Sequence, residues 1–146
     1  MVKINIHQSD TFEEIEINIK CYSIDKKLND LISLINNHYS SLVLKDQDYT
    51  YSINPNQIFY IESIDDKTFV YLENQVLENS LRLYEVEETL KEGTFIRISK
   101  SCILNIDYLR SVKALLNGKY EAHLFNGEKL IISRHYVSSF KKKFGM

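Results

Sequence analysis

The chain has 146 residues, 44% apolar and 12% aromatic, which is enough apolar content for one folded domain or a domain with a small extension. One Pro and four Gly exclude a fibrous or disordered chain. The net charge of −2 conceals a split: residues 94–146 carry ten Lys and Arg against three Asp and Glu (+7), and residues 1–93 carry eight against seventeen (−9). Clustered cations attract phosphate, so the second half predicts a surface that binds a polyanion.

The first 52 residues predict a strand, a helix and a second strand. Residues 13–22 alternate Ile15, Ile17 and Ile19 with polar residues, which predicts a half-buried strand. The apolar residues of 26–38 recur at helical spacing, and Asp25 is the expected N-cap. Residues 41–52 predict a strand that leads into the turn at residues 54–56.

From residue 57 onward the pattern is mostly β. Residues 57–63 and 68–72 predict a hairpin, and residues 75–78 a short strand. A helix is expected from residue 80 to about 91, capped by Asn79 or Ser80 and stopped by Gly93. Residues 94–98 predict a strand, and residues 99–105 a turn with one helical loop.

Two Asn-Gly pairs, at 117–118 and 126–127, favour type I′ hairpin turns. They divide residues 110–133 into a three-stranded meander, with strands at about 110–116, 119–125 and 128–133. Residues 134–144 then predict a short helix capped by Ser133, with Tyr136, Val137, Phe140 and Phe144 facing inward. The fold class is therefore mainly β, α+β overall.

Localisation and chemistry are constrained by absences in the sequence. It shows no signal peptide, and its longest uncharged run, Leu31 to Leu44, is too short and too polar to cross a bilayer. Cys21 and Cys102 stand alone, so we interpret both as reduced, half-buried residues of a cytoplasmic protein. No spacing of residues suits a metal, a cofactor, a nucleophile or a small-molecule substrate, so we expect no enzyme.

The stretch from Ile58 to Phe144 resembles the LytTR-type DNA-binding domain of bacterial transcription regulators. The most specific part is the pattern F-x-R-x-x-x-S-x-x-x-N formed by Phe95, Arg97, Ser101 and Asn105, and the final I-S-R-x-Y-V adds to it. The resemblance implies an elongated arrangement of small β-sheets with one central helix, whose loops enter successive major grooves at direct-repeat sites.

The resemblance also implies which loops contact double-stranded DNA. By position, the candidate residues are Lys67, Ser99, Lys100, Ser101, Arg134 and His135. Arg134 is the favoured base reader, because a guanidinium can engage O6 and N7 of guanine. Lys100 and the two serines suit phosphate. Lys67 follows two aspartates that oppose phosphate approach. For Arg97, within a strand, we favour a structural ion pair over DNA contact.

We divide the chain into a βα extension, residues 1–48, and the DNA-binding domain, residues 49–146. The extension resembles that of stand-alone regulators without a receiver, and implies a homodimer or a partner. The input signal is left open: it could come through the extension, through abundance, or through a regulatory protein partner, including a membrane-bound one. The competing hypothesis is a protein-interaction module whose basic face meets an acidic partner or is masked by its own acidic N-terminus.

Overall fold

The fold was analysed in a computed structural model that describes residues 1–39, 41–91 and 93–146, excluding the side chain of Asn37. The described helices are α1 (Lys26–Tyr39), α2 (Leu83–Leu90) and α3 (Val137–Phe144). The described strands are β1 (Leu42–Asp46), β2 (Tyr49–Ile53), β3 (Tyr60–Ile64), β4 (Lys67–Tyr71), β5 (Val76–Asn79), β6 (Phe95–Ser99), β7 (Cys102–Asn105), β8 (Leu109–Ala114), β9 (Tyr120–Leu124) and β10 (Lys129–Ile132). The mainly β architecture predicted from the sequence is confirmed.

The strands form two antiparallel sheets. The larger has seven strands in the order β2-β1-β5-β4-β3-β7-β6, and the smaller has three in the order β10-β9-β8. The predicted hairpin is β3 and β4, whose turn residues Asp65 and Asp66 have φ values of 50° and 64°. Asp tolerates this left-handed region better than most residues because its short side chain can bond to the local backbone. This turn points one pair of carboxylates outward at the end of the hairpin.

The large sheet is buried on both faces at strand β7, whereas β1 and β5 alternate between buried and exposed residues. Ile103 belongs to one apolar cluster, while its neighbours Cys102 and Leu104 belong to the other. The first cluster contains Leu42, Leu44, Ile53, Ile58, Ile61, Val70, Leu77, Phe95 and Ile103 with Leu83, Val86 and Leu90 of α2. The second contains Phe59, Tyr60, Ile98, Cys102, Leu104, Leu109, Ala122, Leu124, Ile132 and Phe140. Helix α2 thus covers one face, and the small sheet with α3 covers the other.

Asn105 closes the end of strand β7. Its side chain is fully buried, and its Nδ2 donates to the carbonyl of Ile58 at 2.8 Å. Its Oδ1 accepts from the hydroxyl of Thr94 at 2.7 Å and from the amide of Asp107 at 3.1 Å. One amide therefore satisfies polar groups from three separate stretches of chain, which is how a buried polar side chain stabilises a fold.

The N-terminal expectations were partly wrong. Residues 13–22 form no strand, and Ile15, Ile17 and Ile19 are exposed by 74%, 50% and 41%. Alternation produces a strand only where a neighbouring strand completes the hydrogen bonds, and no described strand pairs with this segment. Helix α1 is confirmed, and Asp25 caps it by accepting from the amide of Leu28 at 2.8 Å.

The single strand expected over 41–52 is a hairpin of β1 and β2, with Gln47 at φ 52° in its turn. The side chains of Leu42 and Leu44 on β1 lie in the core, and β1 pairs with β5 as a strand, with Lys45 opposite Glu78. The sheet thus crosses residue 48, where we divided the chain. That division into two units stays a prediction.

Three local predictions from residue 79 onward were wrong. Cys102–Asn105 is strand β7 rather than a helical loop, because its apolar run is buried on both faces. Helix α2 begins at Leu83, where the carboxylate of Glu85 accepts from the amide of Arg82 at 2.8 Å. Ser133 makes no side-chain cap, and a 3₁₀ turn, Arg134–Tyr136, precedes α3.

The meander is confirmed as β8, β9 and β10, but its two turns differ. Asn117 and Gly118 have φ values of 69° and 74°, as a type I′ turn requires. At the second turn only Gly127 has positive φ, so it is not type I′. Of the four side chains expected to face inward on the last helix, Phe140 is fully buried, Tyr136 and Val137 are half-buried, and Phe144 is 36% exposed.

Replacing Asn105 tests its role in the fold. Asn105→Ala should lower the free energy of unfolding by about 2–4 kcal/mol, because it removes the buried hydrogen bond to the carbonyl of Ile58 together with those from Thr94 and Asp107. The exposed Asn18→Ala should cost less than about 0.5 kcal/mol. Urea denaturation of the two variants measures the difference, and equal midpoints would contradict the role assigned to Asn105.

Candidate nucleic-acid interface

The six predicted site residues all lie at strand ends or in turns. Lys67 begins β4, and Ser99 ends β6. Lys100 and Ser101 form the turn between β6 and β7, and Arg134 and His135 lie in the 3₁₀ turn after β10. Ser99 is half-buried and the other five are exposed. All six are therefore accessible to a large ligand.

Two backbone hydrogen bonds bring the three loops side by side. The amide of Ser63, at the end of the β3–β4 hairpin, donates to the carbonyl of Ser101 at 2.8 Å. The amide of Ser133 donates to the carbonyl of Ile98 at 2.8 Å. The β6–β7 turn is thus fastened to the hairpin on one side and to the Arg134 turn on the other. We call the three segments 64–68, 99–101 and 133–135 the loop rim.

The β6–β7 turn is held by hydrogen bonds from the side chain of Arg97. Nε of Arg97 donates to the carbonyl of Ser99 at 2.7 Å, and Nη2 donates to the carbonyl of Lys100. Nη1 pairs with the carboxylate of Glu87 on α2 at 2.6 Å. The structural ion pair predicted for Arg97 is confirmed. Its two bonds to the turn were not foreseen, since they depend on the bulge between Arg97 and Ser99.

Arg134 rests on the first Asn-Gly turn. A Cβ at Gly118 would lie 3.2 Å from Cδ and 3.3 Å from Cγ of Arg134. The aliphatic part of Arg134 therefore crosses the glycine backbone, and its exposed position leaves the charged end toward solvent. The sequence marked Gly118 as a turn residue but gave no sign that this turn would support Arg134.

Two further interactions involve Asp66 of the loop rim and Lys141 of α3. Asp66, next to Lys67, forms an exposed ion pair with Arg82 at 3.3 Å, which is a weak interaction in water. The ammonium of Lys141 lies over the ring of Tyr120, 5.0 Å from its centroid. The face of an aromatic ring attracts a cation at this distance. The side chain of Lys100 has no carboxylate partner among the described residues.

Two buried ionisable side chains, Cys102 and Tyr60, stay protonated at neutral pH. Burial raises the pKa of the Cys102 thiol to about 12. Burial, reinforced by the hydrogen bond with Glu128, raises the pKa of Tyr60 far above its usual value. The expectation of two half-buried cysteines was wrong, because Cys102 is buried and Cys21 is exposed, although both are free thiols. Cys102 therefore acts as an apolar core residue.

The two antiparallel sheets with their three helices have the architecture of a known class of DNA-binding domain. Residues 48–145 match the family described as the LytTr DNA-binding domain. A solved LytTr DNA-binding domain, from a putative methyl-accepting/DNA response regulator of Bacillus cereus, superposes with a TM-score of 0.68 at 27% identity, covering 73% of this chain and 97% of that one.

Two relatives in sequence differ in length. Sensory transduction protein LytT of Enterococcus faecalis is 26% identical over 106 residues, which span 73% of this chain but only 44% of that protein. An uncharacterized HTH-type transcriptional regulator of Staphylococcus aureus is 28% identical over 148 residues, the whole of both chains. Despite that name, strands separate the helices in the described part of the present chain.

The chain belongs to the LytTr DNA-binding domain family, as its resemblance implied. It is thereby placed among the DNA-binding domains of transcription regulators, which are not an enzyme family. Within the described ranges, no helix combines the length and the apolar character needed to cross a bilayer.

Proposed function

We propose that the protein is a cytoplasmic transcription regulator that binds direct-repeat sites in double-stranded DNA through the loop rim. The observation that carries the proposal is the pair of backbone bonds, Ser63 to Ser101 and Ser133 to Ile98, that fasten three exposed loops together. Loops fixed to a rigid sheet present their side chains in one arrangement, which a site that reads DNA requires.

The chemistry of the rim supports two kinds of contact. The hydroxyls of Ser99 and Ser101 lie 3.4 Å apart, and with Lys67, Lys100 and His135 they suit phosphate oxygens. Arg134 has a planar guanidinium, and its aliphatic part is supported by Gly118. Such a group suits the major-groove edge of guanine. Phosphate contacts position the protein, and Arg134, together with Lys100, supplies discrimination between sequences.

We further propose a homodimer formed through the N-terminal segment. Ile15, Ile17 and Ile19 alternate with polar residues yet remain exposed, and Leu31 and Leu34 of α1 are exposed as well. Apolar surface of this kind is typical of an interface. Two linked copies would engage two repeats, and the second binding event would then be intramolecular. A regulatory protein partner on the same surface is the competing assignment.

The other candidate function is an interaction module with a basic face for an acidic partner, or one masked by its own N-terminus. In the described residues, no ion pair joins the acidic first 25 residues to Lys100 or Arg134. Self-masking therefore has no contact to support it, whereas the family match supports DNA.

Arg134→Ala tests base reading. The parent should bind a duplex recovered from a randomised pool more tightly than a scrambled duplex. In the variant this difference in binding free energy should be smaller by about 1–3 kcal/mol, because the guanidinium that discriminates guanine is gone. Arg110→Ala removes an exposed arginine outside the rim and should keep the discrimination. If the discrimination of Arg134→Ala matches that of the parent in fluorescence anisotropy, Arg134 does not read bases.

Lys100→Ala tests phosphate contact. Binding should weaken, and the slope of log affinity against log salt should become shallower by about 1, because one fewer counterion is released. Lys27→Ala removes an exposed lysine at the start of α1 and should leave the slope unchanged. An identical slope for Lys100→Ala and the parent in a salt titration would remove Lys100 from the contact set.

Substitution of Ile15, Ile17 and Ile19 by Ser tests the dimer. The mass in solution should fall toward that of one chain, 17.2 kDa, since three exposed apolar side chains of the proposed interface are lost. The change of Tyr84 and Phe125 to Ser removes exposed aromatic side chains outside the N-terminal segment and should keep the dimer mass. Light scattering measures both variants, and a dimer that survives the triple substitution places the interface elsewhere.

A further inference from the structure

The guanidinium of Arg97 is directed at the backbone of the loop rim. Two of its nitrogens donate to the carbonyls of consecutive turn residues, Ser99 and Lys100, and the third bonds to Glu87. Its side chain is only 18% exposed. Hydrogen bonds with an ionised donor are about twice as strong as neutral ones. The guanidinium therefore fixes the directions of the Ser99 and Lys100 carbonyls, which lie on either side of the Lys100 α-carbon.

The turn depends on this support because its own ladder is irregular. The pairing of β6 with β7 shifts between Arg97 and Ser99, and Ser99 then pairs directly with Cys102. A bulge re-aims the side chains beside it and leaves backbone groups outside the ladder. Here the carbonyls of Ser99 and Lys100 accept from Arg97 instead.

Glu87 connects the arginine to a rigid element. It lies on α2, whose Leu83, Val86 and Leu90 are buried in the first apolar cluster. Its carboxylate is 44% exposed and 2.6 Å from Nη1 of Arg97. The carboxylate of Glu87 neutralises the guanidinium of Arg97, which weakens the attraction of Arg97 for a phosphate.

We propose that Arg97, oriented by Glu87, is a positioning residue: it sets the conformation of the turn that carries Lys100 and thereby the affinity and sequence discrimination of the loop rim. This inference rests on the proposed function, and it adds a residue that acts through Lys100 rather than on the DNA. Helix α2 thus contributes to DNA binding from the opposite side of the sheet to α3.

A double-mutant cycle tests the proposal in the intact chain. Arg97→Lys keeps the positive charge but loses the planar fork, so one ammonium cannot bond to both carbonyls and Glu87. It should weaken binding to the duplex recovered from the randomised pool by about tenfold, the effect of losing charge-assisted bonds that hold a contact residue. In a Lys100→Ala background the same change should weaken binding less than about twofold, because coupled residues are not additive.

The results separate positioning from a general structural role. If Arg97 only stabilised the fold, the two losses would multiply, and a multiplicative result overturns the proposal. Glu87→Gln should weaken binding in the same direction, and it takes the place of Arg97→Lys in the cycle if that variant does not fold by circular dichroism. Glu88→Gln is the matched control, because its carboxylate pairs with Lys91 and not with Arg97.

The same experiment distinguishes this inference from the function beneath it. If Lys100→Ala weakens binding and the cycle is multiplicative, the rim stands and only the role of Arg97 falls. If Lys100→Ala binds like the parent, both Lys100 as a contact and Arg97 as its positioner fall. If no duplex is enriched from the pool, the proposed function falls, and this inference falls with it.

Discussion

Burial of strand β7 on both faces is the constraint on which the rest of the structure depends. Cys102 and Leu104 face the small sheet and α3, whereas Ile103 faces α2. A strand so enclosed cannot shift register without moving apolar side chains out of one core and into the other. Packing therefore fixes the position of β7 in the sheet, and the turn that precedes it is bonded in addition to Arg97. Asn105 secures the other end of the strand by hydrogen bonds to Ile58 and Thr94.

Local signals in the sequence predicted the elements that depend on local physics. The stripe of α1 with its Asp25 cap, the β3–β4 hairpin and the Asn117-Gly118 turn all follow from spacing and from residues suited to caps and turns. Strand β7 was missed because a short apolar run fits a buried strand and a buried helical turn equally well. The strand expected at residues 13–22 is absent for a different reason. The residues alternate as a strand requires, but the described chain provides no neighbouring strand to pair with them.

The six candidate site residues stay a prediction, and the contacts that bring their loops together could not be predicted from the sequence. The family resemblance gave the six residues, and the charge split of the chain agreed with a basic second half. The contacts that order these residues join positions distant in sequence, such as Ser63 with Ser101 and Gly118 with Arg134. Spacing along one chain does not contain such pairs. Arg97 is an example: the sequence predicted an ion pair for it but did not predict that the partner would be Glu87 on α2.

The resting place of Arg134 on Gly118 has an entropic consequence. A free arginine side chain samples many rotamers, and freezing it on a ligand costs up to about 2 kcal/mol. Here Cδ and Cγ already lie against a surface that has no side chain to push them away. For the base contact proposed for Arg134, part of that ordering would precede the arrival of a duplex, which is the advantage of preorganisation. The missing side chain of Gly118 would thereby lower the entropic cost of the proposed contact.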